Sequence, residues 1–250
     1  MKLYNKVAIV TGGSRDIGRA VSVKLAIEGA KVVVNYFHNR DEAEETLRLI
    51  NQAGGTAIAV QGDMTKAEDV KRLVKETVDA YGDNIDILVN VAGGIIGRKK
   101  ITEQDEAWYD TLMDVNFKSV WLCTREVVPF MHSGASIVNF SSLAARDGGG
   151  PGASLYATSK AAVSTFTRAM AKELGPDGIR VNAICPGTIA TSFHDRFNTP
   201  ENRERAKGGY PLRREGTAEE CADLVVYLAS DDSSYITGAN IDINGGCFFS

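Results

Sequence analysis

The sequence has little of what marks several large protein classes. Lys and Arg total 28 against 32 Asp and Glu, a formal charge of −4, with no block of like charges. That excludes a basic footprint for nucleic acid and a polyionic tail. No apolar run approaches the roughly 20 residues that span a bilayer. The short run near the start, KVAIV, soon meets Gly12 and Gly13, too early for a signal peptide. The expectation is a soluble, cytoplasmic chain with neither nucleic acid nor membrane as partner. Cys123, Cys185, Cys221 and Cys247 lie far apart, form no Cys-x-x-Cys and have no histidine cluster beside them. This argues against a zinc site or a disulfide framework, and no metal is expected. Internal repeats and low-complexity linkers are missing too. At 250 residues and 44% hydrophobic content the chain reads as one domain, 1–250, with a sizeable core.

What is present is an alternation. Short β-branched runs recur at 6–10, 31–36, 56–60, 85–90, 135–140, 179–184 and 240–245, each of the first six followed by a segment of helical period. Continuous apolar runs suit strands buried on both faces, and parallel strands need helices as crossovers. The pattern predicts an α/β fold of Rossmann type: a doubly wound, seven-stranded parallel sheet with helices on both sides. The first three helices stop at Gly29, at Gly54 and Gly55, and at Gly82, each before a strand. Long helices are expected at about 104–131 and 154–174. The polar, aperiodic stretch 188–216 reads as a substrate lid.

Ligands of an open parallel sheet bind beyond the carboxyl ends of its strands, so the residues after each strand matter most. After the first comes TGGSRDIG, Thr11 to Gly18, where glycines allow a tight turn and a helix N-terminus offers amides to an anion. Asp16 is an unexpected anion there. As a residue that tolerates positive φ and caps helices well, it is expected to cap the helix from Ile17 onward, its carboxylate turned toward Arg15 or Arg19. After the third strand comes Asp63, and after the fourth NVAGG. After the fifth come Ser142, Tyr156 and Lys160. Tyr and Lys four apart share a helix face. A phenol titrates near 10, and a neighbouring cation would move it toward working pH, making Tyr156 an acid/base for an oxygen held by Ser142.

Together, in order and across the chain, TGGSRDIG, NVAG, Asn116, Ser141-Ser142, YATSK, PGTIAT and DINGG resemble the short-chain dehydrogenase/reductase family. The resemblance implies a nicotinamide dinucleotide and reversible reduction of a carbonyl to an alcohol. It implies Tyr156 as acid/base, Lys160 on the nicotinamide ribose, Ser142 on the carbonyl oxygen and Asn116 anchoring a relay water. The coenzyme would meet Gly12, Ser14, Arg15, Asp16, Ile17 and Gly18, then Tyr36, His38 and Asn39, Asp63 and Met64, and Asn90, Ala92 and Gly93. Tyr156, Lys160, Pro186, Gly187, Ile189 and Thr191 would complete the set. Val91 replaces the family's usual second asparagine and Asp16 its usual glycine. A homotetramer or homodimer built on the two long helices is also implied, and the apolar ending from Cys247 is expected to pack on a neighbouring subunit or the lid.

No acid follows the second strand until Asp41, while Arg15 with His38, Asn39 or Arg40 supplies donors suited to a 2′-phosphate. NADPH is therefore expected to be preferred, with NADH possible. Arg98 in RKK, Arg146, His194 and Arg196 suggest cations around the pocket and an anionic substrate. In general appearance the 3-oxoacyl-[acyl-carrier-protein] reductases fit best, although MHSGAS (131–136) lacks the basic run many of them carry. A reductase of small acidic or sugar-derived carbonyls is the alternative. A dinucleotide-sensing scaffold, which would be expected to lose Tyr156 or Lys160, is a third reading.

Overall fold

The structure, a computed structural model, describes residues 1–191 and 207–249. Its strands are β1 (Val7–Thr11), β2 (Lys31–Tyr36), β3 (Thr56–Gln61), β4 (Ile87–Asn90), β5 (Ser136–Phe140), β6 (Arg180–Pro186) and β7 (Asn240–Ile243). They form one parallel sheet in the order β3-β2-β1-β4-β5-β6-β7. This is the Rossmann-type architecture that the alternating pattern predicts. The helices are α1 (Asp16–Ile27), α2 (Arg40–Gln52), α3 (Ala67–Tyr81), α4 (Glu106–Met113), α5 (Ser119–Val127), α6 (Ala144–Asp147), α7 (Ser154–Leu174) and α8 (Ala218–Ala229).

Successive strand residues face opposite sides, and both sides are covered. Ala8, Val10, Val32 and Val34 join Val21 and Leu25 of α1 and Val225 of α8 in one core. Ile9 and Val33 join Leu73 of α3, Leu122 of α5 and Leu174 of α7 in the other. The Val, Leu and Ile side chains among these each contribute about 1.5–3 kcal/mol by leaving water. That two-sided burial explains why the runs are continuously apolar.

The segment expected as a single helix over 104–131 is broken. A π turn, Asp114–Lys118, joins α4 to α5, and a 3₁₀ turn, Val128–Phe130, ends it. Pro129 has no amide to continue the ladder. At the π turn the buried Asn116 side chain bonds Leu112 O and residue 94 instead of leaving the helix regular. The stretch read as a lid lies largely outside the described residues. Its near ends are tied by a bridge between Ile189 and Gly216. The C-terminal run lies against its far end, with Leu212 N donating to Gly245 O, while Phe249 is 83% exposed.

Candidate active site

The strand order reverses between β1 and β4, and there the loops after the two strands part. Thr11 holds their roots together, its hydroxyl oxygen accepting from Val91 N at 3.1 Å and Ala92 N at 3.2 Å. Gly12, at φ +62°, passes so close to the second loop that a Cβ would stand 3.1 Å from Ala92 Cα. The resulting cleft, about 480 Å³, runs from the ends of β2 and β3 across the switch point to α7.

One end is lined by Ser14, Arg15, Asp16, Ile17 and Gly18 from the turn, Tyr36, His38 and Asn39 beyond β2, and Asp63 and Met64 beyond β3. Ser14 O accepts from Arg19 Nε and Nη2 and from Thr46, and Arg19 is paired with Glu42. The turn is thus clamped from α2. Asp63 is oriented by Thr65, whose amide and hydroxyl both donate to Oδ1.

Ala92, Gly93, Ser142, Tyr156, Lys160, Pro186, Gly187, Ile189 and Thr191 line the other end. Ser142 follows β5, its Oγ accepting from Ala144 N at 3.1 Å. Tyr156 stands in the first turn of α7, one helical turn before Lys160. Ser141 ties that helix to the strand end, donating to Lys160 O and meeting Ser164. Lys160 is 4% exposed, and its Nζ donates to Phe140 O at 2.9 Å. Burial pushes the ammonium down to about 8. Burial is the larger effect on the Tyr156 phenol and pushes it up. In the protein alone the Ser142 side chain is what draws the phenol downward.

Other expectations also change. Asp16 does sit at positive φ, +49°, but it is the first residue of α1. Arg15 occupies the cap position, without a side-chain cap, and its Nε lies 3.9 Å from Asp16 Oδ2. Arg19 is turned to Glu42. Asn90 is not in the cleft: it donates to Asn139 Oδ1 at 2.9 Å, joining β4 to β5 from within the core. Asn116 is buried beneath the loop, accepting from Gly94 N at 2.8 Å and donating to Gly94 O at 2.9 Å. Its amide therefore shapes the loop rather than offering a side-chain perch for water.

Two candidate substrate cations are occupied elsewhere. Arg146 binds Asp242 at 3.2 Å and Asn240 O at 2.8 Å, fastening α6 to β7. Arg98 donates to Pro151 O at 3.1 Å, pinning the loop before α4 to the glycine-rich loop before α7. Neither lines the cleft. His194 and Arg196 lie outside the described residues.

Asn35, Phe37, Gly62, Thr65, Val115, Ser119 and Phe140 line the cleft without having been singled out in the sequence. For Asn35 a signal existed, a buried-strand run KVVVNY interrupted by an amide. Val115 and Ser119 arrive through the π turn, which leaves no periodic mark. Among the described residues no group of three or more His, Cys, Asp or Glu could hold a metal. Nor is any described helix long and apolar enough to cross a membrane.

The cleft's two ends suit a dinucleotide: a glycine turn opening a helix at one, a hydroxyl, phenol and ammonium at the other. Comparison with known proteins agrees. Residues 12–247 match the family model described as enoyl-(acyl carrier protein) reductase. An uncharacterized oxidoreductase of Escherichia coli is 39% identical over 246 residues, covering 96% of this chain and 99% of the relative. A 3-oxoacyl-[acyl-carrier-protein] reductase of Staphylococcus epidermidis is 37% identical over 247 residues, covering 98% and 99%. A short-chain dehydrogenase from Burkholderia cenocepacia, solved in complex with NADP, superposes with TM-score 0.92 at 31% identity, covering 99% of both chains. The chain belongs to the short-chain dehydrogenase/reductase family and is an oxidoreductase.

Proposed function

We propose that the protein reduces the carbonyl of a 3-oxoacyl thioester to a secondary alcohol, with NADPH as preferred coenzyme. The observation that carries the reading is the convergence of Ser142, Tyr156 and Lys160 at one end of the dinucleotide cleft. A reduced nicotinamide dinucleotide, when bound, supplies the hydride. Ser142 orients the carbonyl oxygen, and Tyr156 gives that oxygen its proton. A phenol whose titration is raised by burial suits this direction, because it keeps its proton until an alkoxide-like oxygen develops to take it. Lys160, protonated below about 8, supplies positive charge toward the ribose side. Asn116 acts as a positioning residue through the Gly93–Gly94 loop, since a Cβ on Gly93 would meet its Oδ1 at 2.8 Å.

Coenzyme choice rests on the other end. No acid stands on the cleft after β2, and His38, Asn39 and Arg15 line it there. For the substrate, the anchoring of Arg98 and Arg146 removes two of the cations that favoured an acidic carbonyl. The relative of 3-oxoacyl type supports the thioester reading instead. Exposed Tyr109 and Trp121 on α4 and α5 support an oligomer built on these helices, a homotetramer or homodimer. Steady-state assays of acetoacetyl thioesters beside keto acids and keto sugars, each with NADPH and NADH, test the reading. The thioester with NADPH is expected to have the highest kcat/KM. Turnover of keto acids or keto sugars alone would replace the substrate, and a higher kcat/KM with NADH would reverse the coenzyme.

A further inference from the structure

We infer that Asn35 is a positioning residue for the adenosine half of the coenzyme, a brace that sets the distance between the glycine turn and the loop after β3. The inference rests on the dinucleotide cleft described above and assigns a residue that none of the motifs marks. Asn35 lies on β2, the strand between β1 and β3, is 2% exposed and touches the cleft.

The reason a brace is needed lies in the topology. β1 and β3 are not neighbours, and their ladders with β2 run only to Val10↔Val34 and Tyr36↔Gln61. Beyond those pairs the two loops diverge over the cleft. The Asn35 side chain reaches both. Its Oδ1 accepts from Gly12 N at 3.1 Å, and its Nδ2 donates to Gly62 O at 3.1 Å and Val60 O at 3.3 Å. Its backbone carbonyl accepts from Gly13 N at 2.9 Å.

This set leaves one orientation for the amide. Two carbonyls on one side require the NH₂ there, and an N–H on the other requires the oxygen. Only a planar group with a donor and an acceptor on opposite edges satisfies both loops. Gly12 N–H is consumed by the brace, so the coenzyme's phosphates fall to the amides further along the turn and to Arg15. Gly62 O is held back against β2, which leaves Asp63 and Met64 presented to the adenine side.

Asn35→Asp keeps the size and the acceptor facing Gly12 but sets an oxygen against the Val60 and Gly62 carbonyls. Asn35→Thr favours the strand and cannot reach both loops. The probe is 5′-ADP, which carries the adenosine and the diphosphate without the nicotinamide or a 2′-phosphate. Its inhibition constant against the dinucleotide is expected to rise at least tenfold in Asn35→Asp, with the coenzyme KM rising in parallel. At saturating coenzyme, kcat is expected to stay within threefold of the parent. General loosening would lower kcat and thermal stability and leave the 5′-ADP constant unmoved, and that result overturns the brace. So does a change of less than twofold in the 5′-ADP constant of either folded variant. If Asn35→Asp does not fold, Asn35→Thr supplies the same readings. Because 5′-ADP is indifferent to substrate and to the 2′-phosphate, the brace is judged separately from the thioester and NADPH assignments.

Discussion

The two ends of the cleft are built differently. Around Tyr156 the supporting groups are buried and bonded: Lys160 to Phe140 O, Ser141 to Lys160 O and Ser164, Asn116 to both polar atoms of Gly94. Around the glycine turn the backbone is clamped from below, but the charged groups that face the ligand are open to water. Arg15 has 62% of its side chain exposed. Reacting atoms must be held within fractions of an ångström, whereas a phosphate recognised by charge tolerates a mobile, solvated partner. The end proposed for chemistry is therefore preorganised, and the end proposed for coenzyme choice lies at the solvated rim.

Breaking the rigid end should have the largest effect. Tyr156→Phe removes the proposed proton donor and little else, so kcat is expected to fall by about 10²–10⁴ with dinucleotide affinity within about threefold. Single-turnover rates and fluorescence titration measure both, and undiminished turnover would remove Tyr156 from the acid/base role. The pH profile sharpens the same end. Lys160 is a cation with its titration lowered to about 8, so its charge is present below that value and lost above it. In the reducing direction kcat/KM should be level below pH 8 and fall by about tenfold per unit above it.

At the open end the change should be smaller and selective. Arg15→Ala is expected to raise the KM for NADPH by about tenfold, a moderate figure because the guanidinium is largely solvated, while the KM for NADH moves by less than about twofold. Equal losses with both coenzymes would place Arg15 away from the 2′-phosphate. Outside both ends, Arg146→Ala should leave substrate KM unchanged and cost about 2 kcal/mol of stability, seen in denaturant unfolding, because it unfastens α6 from β7. A large rise in substrate KM would return Arg146 to the site.

The readings that succeeded and those that failed differ in kind. Strand residues such as Val33 and Leu88 were legible because two-sided burial forces apolar runs, and the meeting of Ser142, Tyr156 and Lys160 in one cleft because motif and strand-end position coincide. Arg146 and Arg98 were misplaced because residue type and loop position do not say which carbonyl or carboxylate a long side chain will meet. For Asp16 the unusual φ was anticipated, while its place relative to the helix start was not.

The sequence by itself determined the layers, the strand count and the set of groups available for chemistry, since these follow from local periodicity and from residues adjacent in the chain. Only the tertiary structure decided how those groups are used. Lys160 meets Phe140 O, Asn35 meets Gly12 and Gly62, and Arg146 meets Asp242 across 96 residues. Such pairings depend on strand order and on the exclusion of water, and no local pattern encodes either.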